Sequence, residues 1–486
     1  MSRSRVWSAG IVLVIIAVLT AASTVVRTSS PSAAARLPSR SAAVIAGPPV
    51  GDSVLVSQTL FAQSPEAIVV SPTAAPDVWA RARAVSVARH LPVFAIDPGN
   101  RAAVTAELDR LGTTTLYTDG ERSLADGLGV PTVSSDLSRV TGNVLSTLGS
   151  VAYLTDAAGP DAEITAQAAG AQVVRVPLAD PRATGESVQV LREHPDAAVR
   201  AFGSGFGSSQ DFAYRIRTAL AQPELPGGGQ QMFPGRRVVA LYGSPGAPSL
   251  GPLGEQNLPQ SIVRVKALAA QYQRFSPVPV IPAFEIIATV TSAAPGPDND
   301  YTNMIDPATL RPWVQAAHDA GLYVTLDLQP GRMDFLTQAK RYADLLALPN
   351  VGLALDPEWR LKPNQVHLTQ IGSVAADEVN RTSDWLAGLV RAKRLPQKVF
   401  VLHEFDTDML ANRPQINTSH PELQVVIHAD GHGIPSAKMD TWRRITTGLP
   451  PNVWLGWKNF FTEDHPTFTP AATMAVRPTP WFISYQ

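Results

Sequence analysis

VGLALDPEW, residues 351–359, is a short apolar run with its acidic residues placed last. Such a run without a helical repeat reads as a strand buried on both faces, and its Asp and Glu fall at the C-terminal end. The same order of apolar then polar residues recurs along the second half of the chain. It appears in VVALYG (238–243), VIPAFEI (280–286), YVTLDLQ (323–329), KVFVLHEF (398–405), LQVVIHADG (423–431), NVWLGWKNF (452–460) and TPWFISYQ (479–486). Amphipathic stretches at 261–275, 306–321, 332–348, 383–394 and 436–448 lie between them. In the stretch at 306–321, Asp306 and Pro307 mark the start and Gly321 marks the end. Residues 462–470 have no helical pattern. Eight strands alternating with helices over residues 233–486 predict an α/β fold, a (β/α)8 TIM barrel whose strand ends form one functional face.

Side chains alternate across a strand, so the large residues of one face identify the other. With Leu353 and Leu355 turned to the helices, Gly352, Ala354 and Asp356 point into the barrel. The same reasoning places Tyr242, Glu285, Asp327, His428, Asp430 and Lys458 inside. KVFVLHEF leaves two options open. Val399, Val401 and His403 share one face, and Glu404 at the strand end joins the mouth if twist turns it inward. The expected mouth therefore holds Tyr242, Glu285, Asp327, Asp356, Glu358, His403, Glu404, His428, Asp430 and Lys458. Gathering carboxylates from several strands costs repulsion and desolvation, which a purely structural barrel has no reason to bear.

The chain has 486 residues, 45% hydrophobic and 17% charged, with a formal net charge of −1. That balance lacks the basic excess of a nucleic-acid partner. There is no cysteine, hence no disulfide, thiolate ligand or cysteine nucleophile. No cofactor motif is read. Arg3 and Arg5 precede an uncharged stretch from Val6 to Val26, so residues 1–27 read as a signal peptide or membrane anchor. This segment is the one expected membrane contact, and it implies a protein secreted or held at the outer face of the membrane. Residues 28–50, rich in Ser, Ala and Pro, read as a linker. The composition, rich in Ala, Val, Arg and Pro, fits a high-GC bacterium.

Residues 51–222 alternate short strands (67–72, 92–97, 115–120, 151–156, 171–178, 198–205) with helices, the pattern of a smaller parallel α/β domain with two related halves. Gly203-Ser-Gly205-Phe-Gly207 lacks the dinucleotide spacing and reads as a tight turn. Ser57-Gln-Thr-Leu-Phe61, Ala67-Ile-Val-Val70, Pro92-Val-Phe94 and Glu107-Leu-Asp-Arg-Leu-Gly112 resemble the cell-wall-binding repeats (type 2) of secreted Gram-positive proteins. The resemblance implies attachment to envelope glycan. The Pro- and Gly-rich segment at 223–229 separates this domain from the barrel.

Glycoside hydrolysis needs a protonated carboxyl and a carboxylate flanking the scissile bond, about 5–5.5 Å apart for retention and 6.5–9.5 Å for inversion. Strand ends of one barrel supply such spacings, and crowding keeps one group protonated. Trp359, Trp457, Phe460, Phe461 and Trp481 offer faces for sugar stacking, although the parity of Trp457 is outward. Leu355-Asp-Pro-Glu-Trp359 resembles secreted TIM-barrel glycosidases, in which the fourth strand carries an acid/base carboxylate. The resemblance implies that role for Asp356 or Glu358, with a polysaccharide or cell-wall glycan as substrate. Glu404 is then the second carboxylate, while Lys458 stands where such enzymes carry a nucleophile. Tyr242, Glu285, Asp327, His403, His428, Asp430, Trp457 and Lys458 are expected to bind or orient the sugar. Two alternatives stand beside this one: a glycan-binding barrel without catalysis, and a metal-dependent hydrolase using His428, Asp430 and His432 with Asp327, Asp356 and His403 as an oxygen and nitrogen ligand set.

Overall fold

The computed structural model describes residues 34–35, 42–47, 52–140 and 149–486. The expected leader, 1–27, lies outside the described residues, as does most of 28–50. Eight strands close a parallel barrel. In chain order they are Arg237–Gly243, Val280–Thr291, Tyr323–Leu328, Val351–Leu355, Lys398–Glu404, Leu423–Ala429, Trp454–Asn459 and Phe482–Tyr485. Each pairs in parallel with its sequence neighbour, and the eighth pairs with the first between Val238 and Leu241.

The alternation expected from the sequence decides both layers. Leu326, Leu353, Leu355, Phe400, Leu402 and Ile427 pack outward against the helices. Val238, Ala240, Ala283, Tyr323, Ala354, Val399, Val401 and Val426 fill the interior. Complete burial of each large aliphatic stabilises by about 1.5–3 kcal/mol, so reversing the register of one strand is prohibitive. Gly352 is required by close packing, because a Cβ there meets the Val399 carbonyl oxygen at 2.6 Å.

The helices follow the sequence signals. Asp306 Oδ1 accepts from the Ala308 amide at 2.8 Å and caps Pro307–Asp319. The helix expected over 332–348 is split into Phe335–Arg341 and Ala343–Leu346. At the break, the buried Tyr342 donates its hydroxyl to the Ala288 and Ile305 carbonyls at 2.7 and 2.8 Å. Residues 462–469 are not helical, and a short helix, Pro470–Ala475, follows them. The second strand runs past its neighbours, and its end pairs antiparallel with Thr302–Met304 as a hairpin beside the mouth.

Two four-stranded parallel sheets precede the barrel. The first has the order Val93–Ala95, Glu66–Val70, Thr115–Thr118, Thr132–Ser134. The second runs Gln172–Val176, Ser150–Thr155, Ala198–Phe202, Ala43–Ile45. Both place the first strand of a βαβαβ run between the next two and then add an edge strand. In the second sheet that edge comes from the stretch read as linker: Ala43–Ile45 pairs with Arg200–Phe202. Its apolar Ala-Val-Ile supplies backbone bonds to an edge that is otherwise open, which a reading by Ser/Ala/Pro composition passes over. The 203–207 segment is a tight turn as expected, with Gly203 and Gly207 at positive φ.

Candidate active site

The C-terminal ends of the strands surround a cavity of about 520 Å³. Tyr242, Asp356, Glu358, Trp359, Asp430 and Lys458 line its floor and walls. The six acidic or basic groups expected from parity on the third to seventh strands, Asp327, Asp356, His403, His428, Asp430 and Lys458, are all buried in or beneath this cavity.

Asp430 is held at the centre. Its carboxylate lies 3.0 Å from Lys458 Nζ and 3.3 Å from His403 Nδ1. The other His403 nitrogen is 3.0 Å from Glu285 Oε1 and 3.9 Å from Asp327 Oδ1. Tyr242 donates its hydroxyl to Asp327 Oδ2 at 2.8 Å. Lys458 Nζ sits 3.6 Å above the Tyr242 ring, a cation–π contact that stabilises a desolvated ammonium. His428 pairs with Ser484 at 3.1 Å, and its ring lies 4.8 Å from that of His403. Gly456 makes room for it, since a Cβ there falls 2.3 Å from His428 Cδ2.

This arrangement drives the protonation states apart. Burial opposes the charged form of Lys458 and of His403, but surrounding carboxylates outweigh it. Asp430 and Glu285 raise Lys458, while Glu285, Asp430 and Asp327 hold His403 well above the usual imidazole range. His428 is pushed well below that range by burial and by the charge on His403. Burial raises the Asp430 carboxyl, yet Lys458 and His403 overcome it and hold the group below the usual carboxylate range. Asp327 is pushed up to about 6 by burial, with His403 pulling it down and Glu285 pushing it up. Glu358 is pushed up to about 7, first by burial and then by the Asp430 charge. Asp356 is raised well above its ordinary value by burial, Glu358 and Asp327. One Asp356 oxygen, Oδ1, has no hydrogen-bond partner among the described residues.

Two expected site residues face away from the barrel interior. Glu404 keeps the parity of Leu402 and faces outward, where Arg413 Nη1 donates to both of its oxygens at 2.8 and 3.0 Å. Burial pushes Glu404 up to about 7 while Arg413 pulls it down, and the group lies behind the barrel wall. Trp457 faces outward too. It packs against Trp442 and Phe468, with ring centroids 5.4 and 5.2 Å away, and belongs to the outer core. Glu285, Asp327, His403 and His428 lie beneath the cavity rather than on its surface, so they position the floor instead of touching a sugar.

The metal-ligand reading meets a specific obstacle. Asp430 is already bound by two cationic side chains, and no group of three or more His, Asp or Glu among the described residues is arranged to hold an ion. His432 lines the cavity with Asp430, but its ring stacks edge-on to Phe460 at 5.5 Å.

Strand parity also missed part of the wall. Thr291 comes from the far end of the long second strand, and Thr441 and Arg444 come from the helix Pro435–Ile445. The β-branched run Ile286 to Thr291 signals the longer strand; nothing local signals a helix side chain reaching over the mouth. No helix among the described residues is long and apolar enough to cross a membrane. No family model matches the chain, and no curated protein matches it. Among solved structures it is similar to the xylanase and alpha-amylase inhibitor protein (XAIP-II) from Scadoxus multiflorus. The two are 12% identical with a TM-score of 0.31, over 51% of this chain and 92% of that chain.

Proposed function

We propose that this protein is a glycoside hydrolase, with Glu358 as general acid and Asp430 as the carboxylate that stays ionised. One observation carries the reading: two carboxyl groups line the same cavity in environments that drive their protonation apart. A pair so divided is how acid and base roles are assigned within one site. Glu358 delivers its proton to the glycosidic oxygen. Asp430, fixed by Lys458 and His403, faces the sugar carbon on which positive charge develops. Asp356 is kept neutral beside Glu358 and offers a further hydrogen-bond donor. Trp359 and Phe460 supply apolar faces for the ring. Asp430, one residue past the sixth strand, takes the place that Glu404 held in the reading of the sequence alone.

The leader-like residues 1–27 and the sequence likeness to cell-wall-binding repeats support an exported protein acting on envelope or extracellular polysaccharide. Turnover of a panel of cell-wall and plant oligosaccharides, followed by product detection, tests the proposal. Glu358→Gln and Asp430→Asn should each lower kcat by about 10²–10⁴, the range for loss of a positioned acid or base. Glu404→Gln should leave kcat unchanged. Full activity in both of the first two variants sinks the assignment.

A further inference from the structure

A second cavity of about 340 Å³ adjoins the first. Trp359, His367, Leu368, Thr369, Gln370 and Ile371 line it, and Glu358 and Trp359 belong to the walls of both cavities. The proposed acid therefore sits at the junction. The two sides differ in character. Asp356, Asp430 and Lys458 belong to the first cavity alone, whereas Glu358 is the one carboxyl of the second. Burial holds His367 below its ordinary range, toward the neutral form.

The rim of the second cavity is apolar and exposed. Leu368 is 84% exposed and Ile371 55%, with Val366 beside them at 38%. Nine large apolar side chains are exposed among the described residues. Five of them (these three, Ile434 and Phe461) lie on loops following the fourth, sixth and seventh strands, at this end of the barrel. Leu368 also adopts φ 62°, a left-handed conformation that a bulky residue takes only at a cost. The loop is held in place: His367 Nε2 bonds the Tyr301 carbonyl at 2.9 Å, and Gln370 Nε2 donates to the Val366 carbonyl at 2.7 Å. A cluster of aliphatic groups fixed outward around a cavity marks a surface that an apolar ligand covers.

We infer that this second cavity is the leaving-group subsite and that it selects an alkyl or aryl aglycone. The inference rests on the glycosidase reading for the role of Glu358. Positive charge develops on the sugar, so the sugar belongs with Asp430 in the first cavity and the leaving group belongs in the second. The Glu358 proton passes to the glycosidic oxygen as the C–O bond breaks, with the bonding pair going to that oxygen. The alcohol leaves past Trp359, Leu368 and Ile371. Water adds its hydroxyl to the sugar carbon and its remaining proton restores the acid.

The test is calorimetric titration of Glu358→Gln with n-alkyl β-D-glucosides and n-alkyl N-acetyl-β-D-glucosaminides, from methyl to octyl. Affinity should rise by up to about fourfold for each methylene that becomes buried. Leu368→Ser with Ile371→Ser should flatten that rise without moving the thermal midpoint, because both side chains are exposed. Affinity independent of chain length, no binding of the octyl compounds, or a rise that survives both substitutions overturns the inference. Hydrolysis by the unsubstituted protein, followed in parallel, separates the two readings. Length-dependent binding without turnover keeps the alkyl site and removes the glycosidase assignment. Equal kcat/KM for methyl and octyl substrates keeps the glycosidase and removes the subsite.

Discussion

Glu358 and Asp430 carry the same functional group in one cavity, and their neighbours set them at opposite ends of the carboxyl range. Glu358 is pushed up to about 7, so the proton it donates is present below that pH and absent above it. The kcat/KM of the enzyme should therefore fall as pH rises through about 7, as a pH–rate profile will show. The position of this limb depends on Lys458, whose charge pulls Glu358 down. Lys458→Met should move the limb to higher pH. In Asp430→Asn the like charge is gone and Lys458 is left unneutralised. Both effects lower the Glu358 pKa, and carboxyl ¹³C NMR should register the fall. A limb that stays put in Lys458→Met shows that a different group sets it. Glu404 makes the contrast at the same scale. Its contact with Arg413 is buried behind the barrel wall, so Glu404→Gln should leave kcat intact and change only how stability responds to pH.

At the scale of the strand, one residue decides how the neighbouring side chain is placed. Gly456 faces His428 across adjacent strands, and a Cβ would lie 2.3 Å from the imidazole. Gly456→Ala should destabilise by about 1–3 kcal/mol through overpacking and also lower activity, because His428 is pushed toward His403 under Asp430. A thermal melt and a rate measurement on the same sample check both. The alternation that makes Gly456 matter was legible in the sequence. It placed Asp327, Asp356, His428, Asp430 and Lys458 inside because bulky aliphatics on the other face leave no choice. It was not legible that Glu404 follows the same rule to the last residue, since its partner Arg413 lies nine positions on in a loop with no pattern of its own. Nor did the sequence divide the inward set by depth. Asp327 and Asp430 have the same parity, but only Asp430 reaches the cavity. Height along the barrel depends on stagger between strands, which no single strand reveals.

At the scale of the whole molecule, closing the barrel forces several carboxyl groups out of water, and stability must record it. Folded Glu358 and Glu404 are both pushed up to about 7, Asp327 to about 6, and Asp356 higher than its ordinary value. Each binds its proton more tightly folded than unfolded. Their burial is therefore tolerated while they remain protonated, and stability is lost as pH rises from the unfolded values near 4 through the folded values, about 6 for Asp327 and about 7 for Glu358 and Glu404. A shift of that size corresponds to roughly 3 kcal/mol for each glutamate. Lys398 acts over a different range. It is fully buried, donates to the Leu348 and Val351 carbonyls at 2.7 and 2.6 Å, and is pushed down to about 7 by burial. The unfolded chain binds that proton more tightly, so this lysine returns stability between pH 7 and its unfolded value near 10. The two contributions meet near neutrality. The thermal midpoint should fall between pH 5 and 7 and then level or recover toward pH 9, where few other groups titrate. Lys398→Met should remove the recovery without altering the fall, and Glu404→Gln should shallow the fall without altering the recovery. A midpoint that instead climbs steadily from pH 5 to 7 contradicts the raised carboxyls on which the proposed acid depends.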